Sequence, residues 1–199
     1  ETIDDNTFFW VLKALRNHSQ KNQSHHASMV EKIDKCFDDA DALQIQLGTG
    51  HYNLAIGASI GAKEFLKAKM LLKDMHRKNI KRNQKTYLEY LQGCGKSKDK
   101  VKVCLEAENC LRRMIEDGLT PRTKHYDLVL EKCWRAGRLG NLATWFNAMR
   151  DRGIRPTRNS WFYFLIASVM RKNDSETVEN IFLQMKNDNI EPDIKMQNA

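Results

Sequence analysis

Residues 125–157 read "HYDLVLEKCWRAGRLGNLATWFNAMRDRGIRPT". Tyr126, Val129, Leu130 and Cys133 recur at i, i+3, i+4 and i+7, which is one apolar face of a helix. Gly137 interrupts that periodicity. Leu139, Leu142, Ala143, Phe146 and Met149 then define one face of a second helix. Gly153 falls where a helix ends in a left-handed residue, and Pro156 forbids continuation. The stretch predicts helix, short turn, helix, short turn.

The pattern recurs along the chain. Residues 113–126 read "RMIEDGLTPRTKHY", 184–193 read "QMKNDNIEPD" and 74–87 read "DMHRKNIKRNQKTY". Each has a Met, polar residues, Gly or Asn, Ile or Leu, and usually Pro. Met75, Met114, Met149 and Met185 are spaced by 39, 35 and 36. Tyr52, Tyr87, Tyr126 and Trp161, the aromatics after the turns, are spaced by 35, 39 and 35. Two landmarks with nearly the same step define an internal repeat. The expected units are 50–84, 85–123, 124–158 and 159–194, with 195–199 starting another. Residues 50–84 supply Tyr52, Ile56, Phe65, Ala68, Leu71, Leu72 and Met75. Residues 159–194 supply Trp161, Leu165, Val169, Val178, Ile181, Phe182 and Met185. Unit 85–123 is four residues longer, and the excess is placed in "GKSKDKVK", residues 95–102, between its helices.

Residues 1–49 are less regular and predict an N-terminal helix pair or degenerate repeat. Residues 6–18 read as one helix, 28–47 as another, and "SQKNQSHH", 19–26, as a loop. No strand pattern appears. The predicted fold class is all-α, an α-solenoid of stacked helix-turn-helix repeats, because one helix pair cannot bury both apolar faces alone.

The 199 residues carry a net charge of +8. The excess is concentrated: residues 63–102 hold 13 Lys and Arg against 4 Asp and Glu, whereas residues 1–62 hold 5 against 8. Such a balance favours an anionic partner, nucleic acid first. The five cysteines, Cys36, Cys94, Cys104, Cys110 and Cys133, include no C-x-x-C pair, so they read as buried reduced thiols rather than a zinc knuckle or disulfide framework. No apolar run approaches the roughly 20 residues that span a bilayer, so membrane insertion is not expected. A chain that begins at Glu1 and stops shortly after a turn signal reads as part of a longer polypeptide.

The repeat resembles the pentatricopeptide repeat family. The Tyr near the start, Ala-Gly-Arg-Leu at the inter-helix turn, Met late in the second helix and Gly-Ile-x-Pro at the end carry the likeness, over about residues 50–194. The resemblance implies a right-handed superhelix that holds single-stranded RNA on the face lined by first helices, in mitochondria or chloroplasts. Many members read about one base per repeat. The readers the resemblance implies are the residue after the first-helix aromatic and the residue after the terminal Pro. Here they pair as Asn53 with Asn83, Leu88 with Arg122, Asp127 with Thr157, and Phe162 with Asp193. Asn198 would open a fifth repeat.

The sequence departs from that pattern. Asn53 and Asn83 can donate to and accept from a base edge. Leu88 and Phe162 cannot, although Phe162 can stack on a base. The family's aliphatic wedge is replaced by Gly50, Lys85, Lys124 and Asn159. Weak base specificity follows, with Lys85, Lys124, Arg122, Lys81 and Arg82 as backbone-holding candidates suited to phosphate. Lys63, Lys67, Lys69 and Lys73 read either as part of that surface or as a solvated helix face.

No P-loop, H-E-x-x-H or G-x-S-x-G motif is present. His25 and His26 sit in a polar stretch. Asp34, Asp38, Asp39 and Asp41 read as an acidic helix face. The expectation is a non-catalytic chain with no cofactor, no metal and no small-molecule substrate. Its expected partners are single-stranded or ribosomal RNA and the other proteins of a large organellar ribonucleoprotein, for example a mitochondrial ribosome. The alternative is a scaffold whose groove takes a partner helix or tail, motivated by Leu88 and Phe162.

Overall fold

A computed structural model describes residues 3–21, 26–94, 98–172, 175–193 and 196. The described residues form ten α-helices and no strand, so the chain is all-α. They divide into two compact units, residues 1–96 and 97–199.

The first unit holds α1 (Asp5–Lys21), α2 (His26–Ala42), α3 (Thr49–Gly61), α4 (Phe65–Arg77) and α5 (Gln84–Gly93). Helix α3 packs against α1 on one side, α5 on the other, and α4 behind, and every residue from His51 to Ser59 is buried. Small residues permit this crowding. A Cβ on Gly93 would come 2.5 Å from the Ile60 side chain, so glycine sets the α3–α5 approach. Arg16 of α1 forms an ion pair with Glu89 of α5.

The second unit holds α6 (Lys100–Glu116), α7 (Thr123–Arg135), α8 (Leu139–Asp151), α9 (Arg158–Lys172) and α10 (Ser175–Asn187). Neighbours in sequence pack together, and α7 also touches α9. Tyr126, Val129, Leu130, Cys133, Leu142, Phe146, Met149 and Trp161 are fully buried, so the apolar stripes read from the sequence form the core.

The recurring Met-to-Ile signature has a backbone explanation. After α4, α6, α8 and α10 the residue four beyond the Met is left-handed: Asn79, Gly118, Gly153 and Asn189, with φ of 56°, 74°, 69° and 55°. The next N–H returns to the Met carbonyl: Ile80 to Met75 at 2.7 Å, Leu119 to Met114 at 3.1 Å, Ile154 to Met149 at 3.0 Å and Ile190 to Met185 at 2.8 Å. This is a Schellman closure, and Gly or Asn is the residue that tolerates it.

Three boundaries differ from expectation. The helix expected over 28–47 ends at Ala42, because Gln44 adopts φ 57° and turns the chain toward α3. The loop expected over 19–26 is shorter: α1 continues to Lys21 and α2 begins at His26, while residues 22–25 lie outside the described residues. The four additional residues of 85–123 are not loop. Helices α4, α8 and α10 begin ten residues before their Met, whereas α6 begins fourteen before Met114, so the excess is one extra helical turn from Lys100, capped by Asp99. Residues 95–97 of that stretch lie outside the described residues.

Candidate nucleic-acid interface

Each of α3, α5, α7 and α9 begins three residues before its aromatic, so the residue following that aromatic lies on the same turn in every case. The second residue of three of the four proposed reading pairs is the one just before a helix. Asn83 is the N-cap of α5 and Arg122 that of α7, while Thr157 precedes α9. The side chains of Asn83 and Thr157 also cap these helices, accepting from Thr86 N and Ser160 N, whereas that of Arg122 makes no cap.

The structure brings two of the four pairs together. Asn53 Nδ2 donates to Asn83 Oδ1 at 3.3 Å. That oxygen also accepts from Thr86 N at 3.0 Å and Thr86 Oγ1 at 3.1 Å. Asn53 is 3% exposed, and its own Oδ1 has no hydrogen-bond partner among the described residues, while Asn83 is exposed. The pair thus holds one unspent acceptor beside an exposed amide.

The second pair has a different chemistry. Thr157 Oγ1 donates to Asp127 at 3.1 and 3.2 Å, and Ser160 Oγ donates to the same carboxylate. Thr157 and Ser160 also cap α9 reciprocally, at 2.9 and 3.1 Å. Burial raises the Asp127 carboxyl above its ordinary value, although the two hydroxyls pull it down. The other positions are placed singly. Leu88 and Phe162 are half-buried, Phe162 ring-to-edge against Tyr163 at 5.8 Å. Asp193 Oδ1 accepts from Met196 N at 3.0 Å. Asn198 lies outside the described residues.

The backbone-holding candidates are mostly solvent-facing. Lys81 and Lys85 in the first unit, and Arg122 and Lys124 in the second, are exposed. Arg82 is half-buried, its guanidinium 5.7 Å from the Tyr87 ring centre. Lys67, by contrast, is spent inside the fold on Asp34, and Lys78 lies 3.0 Å from Asp41. Asp34 and Asp41 of the acidic α2 face are thereby paired with lysines of α4 and its C-terminal end. His51 and His125 are buried, accepting from Gly48 N at 3.2 Å and Arg122 N at 3.1 Å, so both serve the helix starts. His25 lies outside the described residues.

Two features of the repeat frame were not read from the sequence. Tyr52 Oη donates to Asp74 Oδ2 at 2.6 Å, and burial with that contact pushes the phenol well above its ordinary value. Burial alone would raise Asp74, but the Tyr52 and Arg77 hydrogen bonds and the Lys78 charge hold it below its ordinary value. In the second unit, Cys104, Glu108 and Cys133 are all buried, with donor atoms within 4.8 Å of one another. The signal was the one-turn spacing of Cys104 and Glu108 on α6. Cys133 comes from α7, which no local pattern reveals.

The chain matches the pentatricopeptide repeat domain over residues 70–135 and 146–199. It belongs to the pentatricopeptide repeat family. A chloroplastic pentatricopeptide repeat-containing protein of Arabidopsis thaliana is 29% identical over 138 residues, 69% of this chain; the chain spans 17% of that relative's length. Among solved structures, the fold is similar to the pentatricopeptide repeat domain of Arabidopsis thaliana protein-only RNase P 1 in complex with tRNA. The TM-score is 0.71 at 17% identity, covering 93% of this chain and 92% of that one. It is also similar to the maize pentatricopeptide repeat protein PPR10, with TM-score 0.65 at 19% identity over 99% of this chain and 26% of that one. PPR10 in complex with an 18-nt psaJ RNA element gives 0.59 at 18% identity, over 94% of this chain and 28% of that one. No described helix is long and apolar enough to cross a membrane.

Proposed function

We propose that this chain is a non-catalytic, organellar RNA-holding module that grips single-stranded RNA mainly through phosphate and reads few bases. The observation that carries the reading is the Asn53–Asn83 pair with exposed Lys81 and Lys85 beside it: a neutral amide pair set among unspent cations. Family membership supports RNA as the ligand. The reading takes residues 50–84, 85–123, 124–158 and 159–194 as four repeats behind an N-terminal pair, with 195–199 opening a further one. It takes Asn53, Asn83, Asp127, Thr157, Phe162 and Asp193 as base-facing. Lys85, Lys124, Arg122, Lys81 and Arg82 are taken as backbone-facing. The chloroplastic relative supports an organelle, and weak base choice suits a chain built into a large ribonucleoprotein such as a mitochondrial ribosome. A second reading, a protein-binding scaffold, rests on exposed Leu66 and Met70 of α4, at 69% and 55%.

RNA affinity measured against salt over a panel of single-stranded sequences tests the proposal. Five phosphate contacts predict a log–log slope of about −3.5, nearly the same for each sequence. Lys81→Ala with Lys85→Ala should flatten that slope by about 1.4. Absence of binding at low salt would sink the RNA reading and favour the scaffold.

A further inference from the structure

The core of the second unit holds a polar cluster that RNA holding does not use. Cys104 of α6 and Cys133 of α7 are fully buried, and their sulfurs lie 3.2 Å apart in a shared hydrogen bond. Glu108, 1% exposed, lies one helical turn beyond Cys104, with Oε1 3.7 Å from Cys133 Sγ. Asn141 Nδ2 and Trp145 Nε1 donate to that same oxygen, at 2.8 and 3.2 Å, and so fix the carboxylate. Arg138 Nη2 lies 3.8 Å from Glu108 Oε2.

We propose that Cys104 and Cys133 are a peroxide-oxidisable dithiol, a site of reversible disulfide formation that ties α6 to α7. The sulfurs need to close by only about 1.2 Å to reach bonding distance. The two thiols are not equivalent. The contact with Cys133, with the charge of Arg138, holds the Cys104 thiol below its ordinary value despite burial. The same contact, with burial, pushes Cys133 far up. Cys133 Sγ faces the Glu108 carboxylate at 3.7 Å, which disfavours its thiolate, so Cys104 is assigned as the attacking sulfur and Cys133 as the resolving thiol. The Cys104 thiolate attacks hydrogen peroxide, the O–O bond breaks, and sulfenic acid and hydroxide form. The proton Cys104 gave up on ionising turns that hydroxide into water. Cys133 then attacks the sulfenic sulfur. The S–O bond breaks, the S–S bond forms, and the second hydroxide leaves as water with the Cys133 proton, for which Glu108 is the adjacent relay. The sulfur pair loses two electrons and the peroxide becomes two waters.

The cluster also has the donor types of a thiophilic metal site. Two observations favour the dithiol. The cation facing Glu108 is already Arg138, and Glu108 Oε1 is already occupied by two N–H donors. Complete burial excludes bulky disulfide oxidants and leaves a small peroxide as the reactant. Cys36 is an internal contrast, since burial and the Asp39 charge push its thiol up to about 11.

The test is hydrogen peroxide titration of the intact chain, followed by alkylation and mass spectrometry of unreduced peptides. The expected product is a Cys104–Cys133 cross-linked peptide that dithiothreitol reverses, with Cys36 still alkylated. The unfolding midpoint should rise by about 5–10 °C on oxidation, since the bond closes a loop of some 30 residues. Cys104→Ala should abolish both changes; the cross-link in the unmutated chain is read directly should that variant fold poorly. Sulfinic acid at Cys104 without a cross-link would overturn the proposal. So would one equivalent of zinc, retained by the reduced chain and lost in Cys104→Ala.

Discussion

Tyr52 and Tyr126 occupy the same place on α3 and α7, and the residues around them make opposite choices. In the first unit a carboxylate from the second helix, Asp74, takes the tyrosine hydroxyl, and the residue after the tyrosine is the neutral Asn53. In the second unit the place of Asp74, one before the Met, is Ala148. The Tyr126 hydroxyl meets no carboxylate there and has only the Arg152 side chain beside it. There the carboxylate sits after the tyrosine instead, as Asp127 under Thr157 and Ser160. One frame can thus place its acid against the tyrosine hydroxyl, where it braces the helix pair, or at the proposed base-facing position, where it opposes an anionic ligand.

The largest expected consequence is in stability. Tyr52→Phe removes a hydrogen bond to a charged group and should cost about 1.5–3 kcal/mol in urea unfolding. Tyr126→Phe removes a buried hydroxyl with no carboxylate partner and should cost less than about 1 kcal/mol. Equal losses in both variants would break the comparison. Next in size, Ala148→Asp should supply the missing partner, with Arg152 one turn later, and stabilise by about 1 kcal/mol. A loss instead would show that the second pair has no room for the acid.

A smaller effect should appear in acid. Asp74 is held below its ordinary value of 3.8, so its folded form binds protons less readily than the unfolded chain. Its contribution is complete above that value and disappears as pH falls through the folded one. Asp127 is raised above 3.8, so its sign is reversed: stability is fuller at low pH and is lost as pH rises from 3.8 through the folded value. Asp74→Asn should flatten the acid limb of the stability curve. Asp127→Asn should steepen the net rise of stability with pH over that upper window. Superimposable curves for the two variants would contradict the opposed shifts.

Much of this frame was legible because it is local. The Met-to-Ile closure depends on one left-handed residue four positions after the Met, so Gly118, Gly153, Asn79 and Asn189 announce it directly. The aromatic landmarks located the residues that follow them, and two of those, Asn53 and Asp127, lie against the partners paired with them. What escaped is tertiary or depends on competing local signals. The Tyr52–Asp74 bond joins two helices at a spacing that only their crossing fixes. Cys133 of α7 converges on Cys104 and Glu108 of α6 although no linear spacing joins it to them. The apolar pattern of 28–47 continues past Ala42 because Leu47 is buried, yet it is buried beyond a turn at Gln44. The extra turn of α6 hid in a lysine-rich stretch that looks like linker.

The account turns on the charge that each first helix presents to RNA, and Asp127→Asn measures it most directly. Single-stranded RNA affinity of the parent and the variant should be compared from low to high salt. The variant should bind about threefold more tightly at low salt, with the difference closing as salt screens the carboxylate. Unchanged or weaker binding by Asp127→Asn at every salt concentration would contradict the placement of Asp127 on the RNA-holding face.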